Sequence, residues 1–302
     1  MDNANLTQEI KRIAREKSAL ILAHNYQTED VQDIADHTGD SLELARIAAR
    51  NDARIIVFCG VHFMAESAHM LSPEKTVLLP DPDAGCPMAD MADAEDVLRL
   101  RDEHPDAAVV TYINSSAAVK AVSDVCCTSS NAVAIVKAIA NDSIIFVPDR
   151  NLGRYVQRFT EQRIIPWNGF CPTHERFTIE ELEPAKRRHP DAIVMVHPEC
   201  RPEVVDRADE VLSTGKMVAF AQSISGRIII VGTEVGMLHK LKTAAPANEY
   251  ILAAPGFVCP NMKKITLKKI YDSLVSESPI ITVDADVASR AVRCLERMLE
   301  LS

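Results

Sequence analysis

Several chemistries are excluded by what this chain of 302 residues does not contain. No two cysteines form a CxxC pair, which removes zinc ribbons, thioredoxin-like redox sites and the close-spaced ferredoxin pattern. There is no CxxxCxxC either, so the usual radical-SAM arrangement is absent. No GxGxxG occurs, and with it goes the dinucleotide fingerprint. Ser213-Thr214-Gly215-Lys216 has the look of a P-loop ending, but position 210 is Glu where that loop needs Gly. Long apolar runs are missing: a stretch such as Arg227 to Gly232 (RIIIVG) is far below the roughly 20 residues of a membrane span. The first residues, MDNANLTQEIKRIAREK, carry no apolar signal core, so the chain reads as an unprocessed cytoplasmic protein. Basic charge is also short. Lys and Arg number 33 against 43 Asp and Glu, a net charge of −10, which argues against nonspecific nucleic-acid or anionic-membrane binding.

What is present is an ordinary globular mixture, 47% hydrophobic and 25% charged. Length alone suggests two domains, but an internal repeat replaces that expectation. Three of the eight cysteines precede proline, at nearly equal intervals: Cys86-Pro87, Cys171-Pro172 and Cys259-Pro260. Apolar, β-branched runs ending in polar clusters recur at much the same interval. Leu20 to Ala23 leads to His24-Asn25-Tyr26, Ala108 to Thr111 to Tyr112-Ile113-Asn114, and Ile193 to Val196 to His197-Pro198-Glu199. Tyr26, Asn114 and Glu199 occupy matching places in this repeat. One fixed step beyond each comes a hydroxyl: Ser41, Ser129 and Thr214. Second apolar runs follow at 54–58, 143–147 and 227–231. Alternating short strands and helices imply parallel sheets with right-handed crossovers. The expected fold is therefore α/β, with three similar three-layer αβα units around a pseudo-threefold axis and a site at the centre. The units are 1–106 with an N-terminal helix, 107–191, and 192–302 with a C-terminal strand at 279–283 and a helix. Ligands of such sheets lie beyond the carboxyl ends of the strands, where the His24, Tyr112 and His197 clusters fall.

Three converging thiolates suit zinc, copper(I) or an iron–sulfur centre. A [4Fe–4S] cluster usually takes four cysteines, so three would leave one iron open as a Lewis acid. Zinc with three cysteines and water competes. Cys59 and Cys294 read as buried thiols, and Cys126, Cys127 and Cys200 do not repeat across the units. Among the polar residues, Tyr26 and Glu199 are candidate acid–base groups, joined by His24 and His197, while Asn114 can orient a polar substrate. Ser41, Ser129 and Thr214 precede helical patterns, as N-caps or as the anion-facing starts of helices.

These words, in this order, resemble the quinolinate synthase (NadA) family over essentially the whole chain. The resemblance rests on His24-Asn25-Tyr26, Gly39-Asp40-Ser41, Phe58 to Glu66, Asp83 to Pro87, Tyr112 to Ser115, Cys127 to Ala132, Pro148-Asp149 with Asn151-Leu152-Gly153, Trp167 to Cys171, His197 to Cys200, Gly232 to Met237, and Cys259 to Met262. It implies one [4Fe–4S] cluster on Cys86, Cys171 and Cys259. It also implies a substrate pocket at His24, Tyr26, Ser41, Tyr112, Ile113, Asn114, Ser129, His197, Pro198, Glu199 and Thr214. The implied activity is a carbon–carbon bond-forming transferase of NAD (pyridine nucleotide) biosynthesis. Iminosuccinate, supplied by an aspartate oxidase or dehydrogenase, would condense with dihydroxyacetone phosphate to give quinolinate. Some relatives carry a further close-spaced cysteine motif near the C-terminus, where this chain has only Cys294. The competing readings are another open-iron hydro-lyase, a cluster-based sensor without the basic stripe expected of a DNA binder, and a structural zinc protein.

Overall fold

The computed structural model describes residues 3–302. Among these residues twelve strands form three four-stranded parallel sheets. The first sheet holds β1 (Ala19–His24), β2 (His37–Gly39), β3 (Ile55–Cys59) and β4 (Thr76–Leu78). The second holds β5 (Ala108–Tyr112), β6 (Val125–Cys127), β7 (Ser143–Val147) and β8 (Arg163–Pro166). The third holds β9 (Ile193–Val196), β10 (Glu210–Val211), β11 (Ile228–Gly232) and β12 (Glu249–Leu252). Each sheet runs second, first, third, fourth in strand order, so one topology is used three times. Its central strands are short Val/Ile-rich runs, buried along nearly their whole length. That is the pattern of parallel strands covered on both faces by helices.

A repeated aspartate helps set the register. The Asp36 carboxylate accepts from the Ile21 N–H (2.8 Å) while its own N–H donates to the Ile21 carbonyl (2.9 Å). Asp124 does the same with Val109 (2.7 and 2.9 Å), and Asp209 with Val194 (2.8 and 2.9 Å). Each aspartate enters the second strand and clamps the first, so a one-residue slip would cost both bonds.

The first two sheets share one apolar core, which also takes residues from the last quarter of the chain. The helix Ala285–Glu300 buries Ala291, Cys294, Leu295 and Met298 in it. There the Cys294 thiol lies 3.3 Å from that of Cys126, both free and buried. The third sheet is sealed by two further cores, one on each face. The strand expected at 279–283 reduces to a single antiparallel bridge between Ile280 and Leu78 of β4. Pro279 has no N–H to donate to a ladder, which limits pairing to that edge contact.

Candidate active site

The carboxyl ends of the three sheets surround one cavity. His24 ends β1, Tyr112 ends β5, and His197 follows β9. The cysteines arrive on the loops after the fourth strands, Cys86 after β4, Cys171 after β8 and Cys259 after β12. His24, Tyr26, Ser41, Tyr112, Asn114, Ser129, His197, Glu199, Thr214 and the three cysteines all line this cavity. Ile113 and Pro198 sit between lining residues, buried, without contributing to the wall.

The hydroxyls are not the N-caps that their position suggested. Asp40 caps the helix Ser41–Arg50 through Leu42 and Glu43 N–H (3.0 and 2.9 Å). Ser213 caps Thr214–Ser223, and Ser129 precedes the Asn131 cap of Ala132–Ala138. With Asp40 and Ser213 doing the capping, and Asn131 at the third helix start making no side-chain cap bond, the Ser41, Ser129 and Thr214 side chains line the cavity wall.

The two histidines are fixed in the same way. The Tyr26 N–H donates to His24 Nδ1 (3.1 Å), and the Glu199 N–H donates to His197 Nδ1 (3.3 Å). A backbone N–H can only donate, so each neutral ring carries its proton on Nε2. Burial first, then the neighbouring His197, brings the His24 pKa down to about 3. Burial likewise brings His197 to about 4, against the pull of Glu199. Both are therefore neutral Nε2–H donors at pH 7. His197 Nε2 lies 3.2 Å from the Ser129 hydroxyl.

Glu199 is the hub. Burial alone would raise its pKa, but His197, His174 and the Tyr112 hydroxyl outweigh it and hold the carboxyl below its ordinary value. Tyr112 donates to Oε1 (2.7 Å), and His174 Nδ1 is 2.8 Å from Oε2. On the far side of the ring, His174 Nε2 is 2.9 Å from Thr233 Oγ1, which is 2.6 Å from the Tyr26 hydroxyl. A continuous hydrogen-bonded chain thus runs Tyr26, Thr233, His174, Glu199, Tyr112. His174 was not found by the repeat, because the matching positions three after Cys86 and Cys259 are Ala89 and Met262. Thr233 and Glu234 belong to the Gly232–Met237 stretch, which reads in the sequence as a strand-to-helix turn beside the cavity. Glu234, Phe63 and Met64 complete parts of the wall.

The cysteines suit a metal centre. Burial raises the Cys86 thiol to about 12 and also raises Cys171 and Cys259. Cys259 adds to the shift of Cys86, and Cys86 to that of Cys171, so the three feel one another's charge. Thiols gathered in this way ionise when a metal displaces their protons. A second donor set is present: Cys171, His174 and Glu199 offer ligand atoms within 4.8 Å of one another.

A sequence profile described as Quinolinate synthetase A protein matches residues 8–300. This chain belongs to the quinolinate synthetase A family. A quinolinate synthase of Methanoregula boonei is 53% identical over 300 residues, 99% of each chain. One of Geobacter metallireducens is 50% identical over 301 residues, covering 100% of this chain and 99% of that one. One of Caldicellulosiruptor bescii is 52% identical over 297 residues, 98% of each. Among the described residues no helix is long and apolar enough to cross a membrane.

Proposed function

We propose that the chain condenses iminosuccinate with dihydroxyacetone phosphate, releasing phosphate and water, to give quinolinate for NAD biosynthesis. One observation carries this reading. Thiols from three sheets meet, in one cavity, a buried carboxylate wired to two tyrosines. A [4Fe–4S] cluster on Cys86, Cys171 and Cys259 would supply an open iron that withdraws charge from a substrate oxygen or nitrogen. The remaining work falls to the side chains. The Nε2–H groups of His24 and His197, with Ser41, Ser129 and Thr214, can hold carboxylates and phosphate. Asn114 Oδ1 is buried without a partner, an acceptor free for a substrate N–H or O–H. Glu199 can take a proton at Oε2 and pass it through His174 and Thr233 to Tyr26, so that tautomerisation and dehydration need no bulk water. The depth of the site protects a hydrolysable imine.

The test is anaerobic reconstitution followed by assay. About four irons and four sulfides per chain are expected, and their loss in Cys171→Ala. Glu199→Gln should keep the cluster absorbance while kcat falls about 10²–10⁴-fold. A single zinc per chain, as the Cys171, His174 and Glu199 set would hold, with no quinolinate formed, overturns the proposal. Turnover of a small hydroxy acid without dihydroxyacetone phosphate would instead identify an open-iron hydro-lyase.

A further inference from the structure

The residue two places after each third strand is Val61, Asp149 or Glu234, and these three recur at the interval of the repeat. In the second and third sheets this position is a fully buried carboxyl group. In the first it is apolar. The Glu234 carboxyl contacts the cysteine loop of its own sheet, and the Asp149 carboxyl caps the turn that docks on its own.

The Glu234 contact is direct. The Cys259 N–H donates to Oε1 (3.1 Å) and the Gly236 N–H to Oε2 (2.7 Å), while Lys263 Nζ lies 2.9 Å away and balances the charge. Asp149 works from a tighter corner. Its Oδ1 accepts from the Asn151 and Leu152 N–H groups (2.7 and 2.9 Å). Its Oδ2 is buried and makes no hydrogen bond. Among the described residues no Lys, Arg or His forms an ion pair with it.

The chain around Asp149 grips the rest of the Cys171 loop. Asp149 bridges to Gly169, and the Arg150 N–H donates to the Gly169 carbonyl (2.9 Å). A Cβ on Gly169 would sit 2.5 Å from the Pro148 carbonyl oxygen, so the two segments lie in contact. Asn151 Nδ2 reaches both the Glu175 carboxylate (2.7 Å) and the Glu199 carbonyl (3.1 Å). In the first sheet the corresponding docking is backbone to backbone, from the His62 N–H to the Ala84 carbonyl (2.8 Å).

We propose that Asp149 and Glu234 are positioning residues for two cluster cysteines: Glu234 binds the loop that presents Cys259, and Asp149 orders the turn on which the Cys171 loop docks. The proposal rests on the three-cysteine reading above. Outer partners of metal ligands are worth about 10–100-fold in metal retention, and here the partner acts on the ligand's loop. Both Glu234 oxygens accept hydrogen bonds, so Glu234→Gln, which turns one acceptor into a donor, should lose part of the effect and Glu234→Ala all of it. Only Oδ1 of Asp149 accepts, so Asp149→Asn should largely preserve the effect and Asp149→Ala lose it.

The experiment uses the full chain in two forms. In the reconstituted protein, iron release to a chelator should be about tenfold faster or more in Asp149→Ala and Glu234→Ala, with Asp149→Asn close to wild type and Glu234→Gln in between. In the apo chain, alkylation read by mass spectrometry should speed up at Cys171 alone in Asp149→Ala and at Cys259 alone in Glu234→Ala, leaving Cys86 unchanged. Equal iron release in all variants overturns the proposal. So does faster alkylation of all three cysteines together, which would mean general loosening. If wild type takes up no iron, the cluster reading fails, and the alkylation pattern still decides whether these carboxyl groups hold the loops.

Discussion

The first two sheets and the third are built alike but secured differently. The first two share one core, completed by the helices Leu267–Ser276 and Ala285–Glu300, while the second has a further core of its own around Val109, Ile145 and Val147. The third has its own two cores, with Tyr26 and Tyr155 packed between them and the shared core, and it also meets the others through polar contacts. Asn25 donates to Thr214 (3.2 Å), Gln32 to the Gly236 carbonyl (2.9 Å), Tyr26 meets Thr233 (2.6 Å), and His239 meets Asp33 (2.7 Å). The side-chain oxygens of Asn25, Gln27 and Gln32, all on the first-sheet side of this seam, are buried without partners. Separating an apolar core is costly, whereas a polar seam with spare acceptors exchanges its bonds for water at small net cost. The cavity lies on that seam. We therefore expect the third sheet to be the part that swings to admit and release ligands.

The largest test of this contrast is Leu295→Ala, a fully buried side chain of the shared core. It should cost about 2–5 kcal/mol in urea unfolding and lower amide-exchange protection in β1 and β5 together. Leu182→Ala, buried in a third-sheet core, should lower protection only around β9 and β11. If either variant loosened all three sheets equally, the contrast would fail.

Acid is the next lever. His24 and His197 stand on opposite sides of the seam, and both are held neutral when folded. Unfolded, each takes a proton near pH 6.5, so protons favour the unfolded chain. Stability is full above that pH and falls as pH drops toward 5, by about 3–4 kcal/mol for the pair. Glu199, whose folded pKa is lowered, is ionised in both states across this window and adds nothing until the pH falls below about 4.5. Urea midpoints of the apo chain between pH 7 and 5 check this, and a flat profile would remove the histidines from the account.

Smaller again is Gln32→Ala. It deletes donations to the Asn25, Gln27 and Gly236 carbonyls (3.2, 2.9 and 2.9 Å). A loss of about 1 kcal/mol should come with faster exchange in the third sheet and little change in the first. Lys240→Met, which removes a bond to the Thr38 hydroxyl, should move stability by less than about 0.5 kcal/mol. It sets the floor for what an outer seam contact contributes.

The threefold plan was legible because cysteine-proline pairs and strand-end polar clusters keep a common spacing through the whole chain. The same spacing carried the cavity residues His24, Asn114, Ser129 and Glu199. His174 was hidden because only one unit uses that position, and a histidine near a cysteine loop has no periodic signal. The clamping aspartates, Asp36, Asp124 and Asp209, do recur at the interval of the repeat, but an isolated aspartate before a short strand reads as loop until its partner strand is known. The caps moved by one position for a similar reason. In Asp40-Ser41 and Ser213-Thr214 both members are good caps, and only the direction of the helix decides which side chain is released.

The shared core also dictates an order of events during synthesis. The strands of the first two sheets are complete by Pro166, yet the helix that seals their core begins at Ala285. At roughly 5–20 residues per second the ribosome needs about 6–24 seconds to cover that gap. Throughout that interval the nascent sheets display the apolar surface that Leu295 and Met298 will cover. The third sheet, with its own cores, can finish folding first. The part of the molecule held most tightly at the end is therefore the part left open longest on the ribosome, where a chaperone would find it.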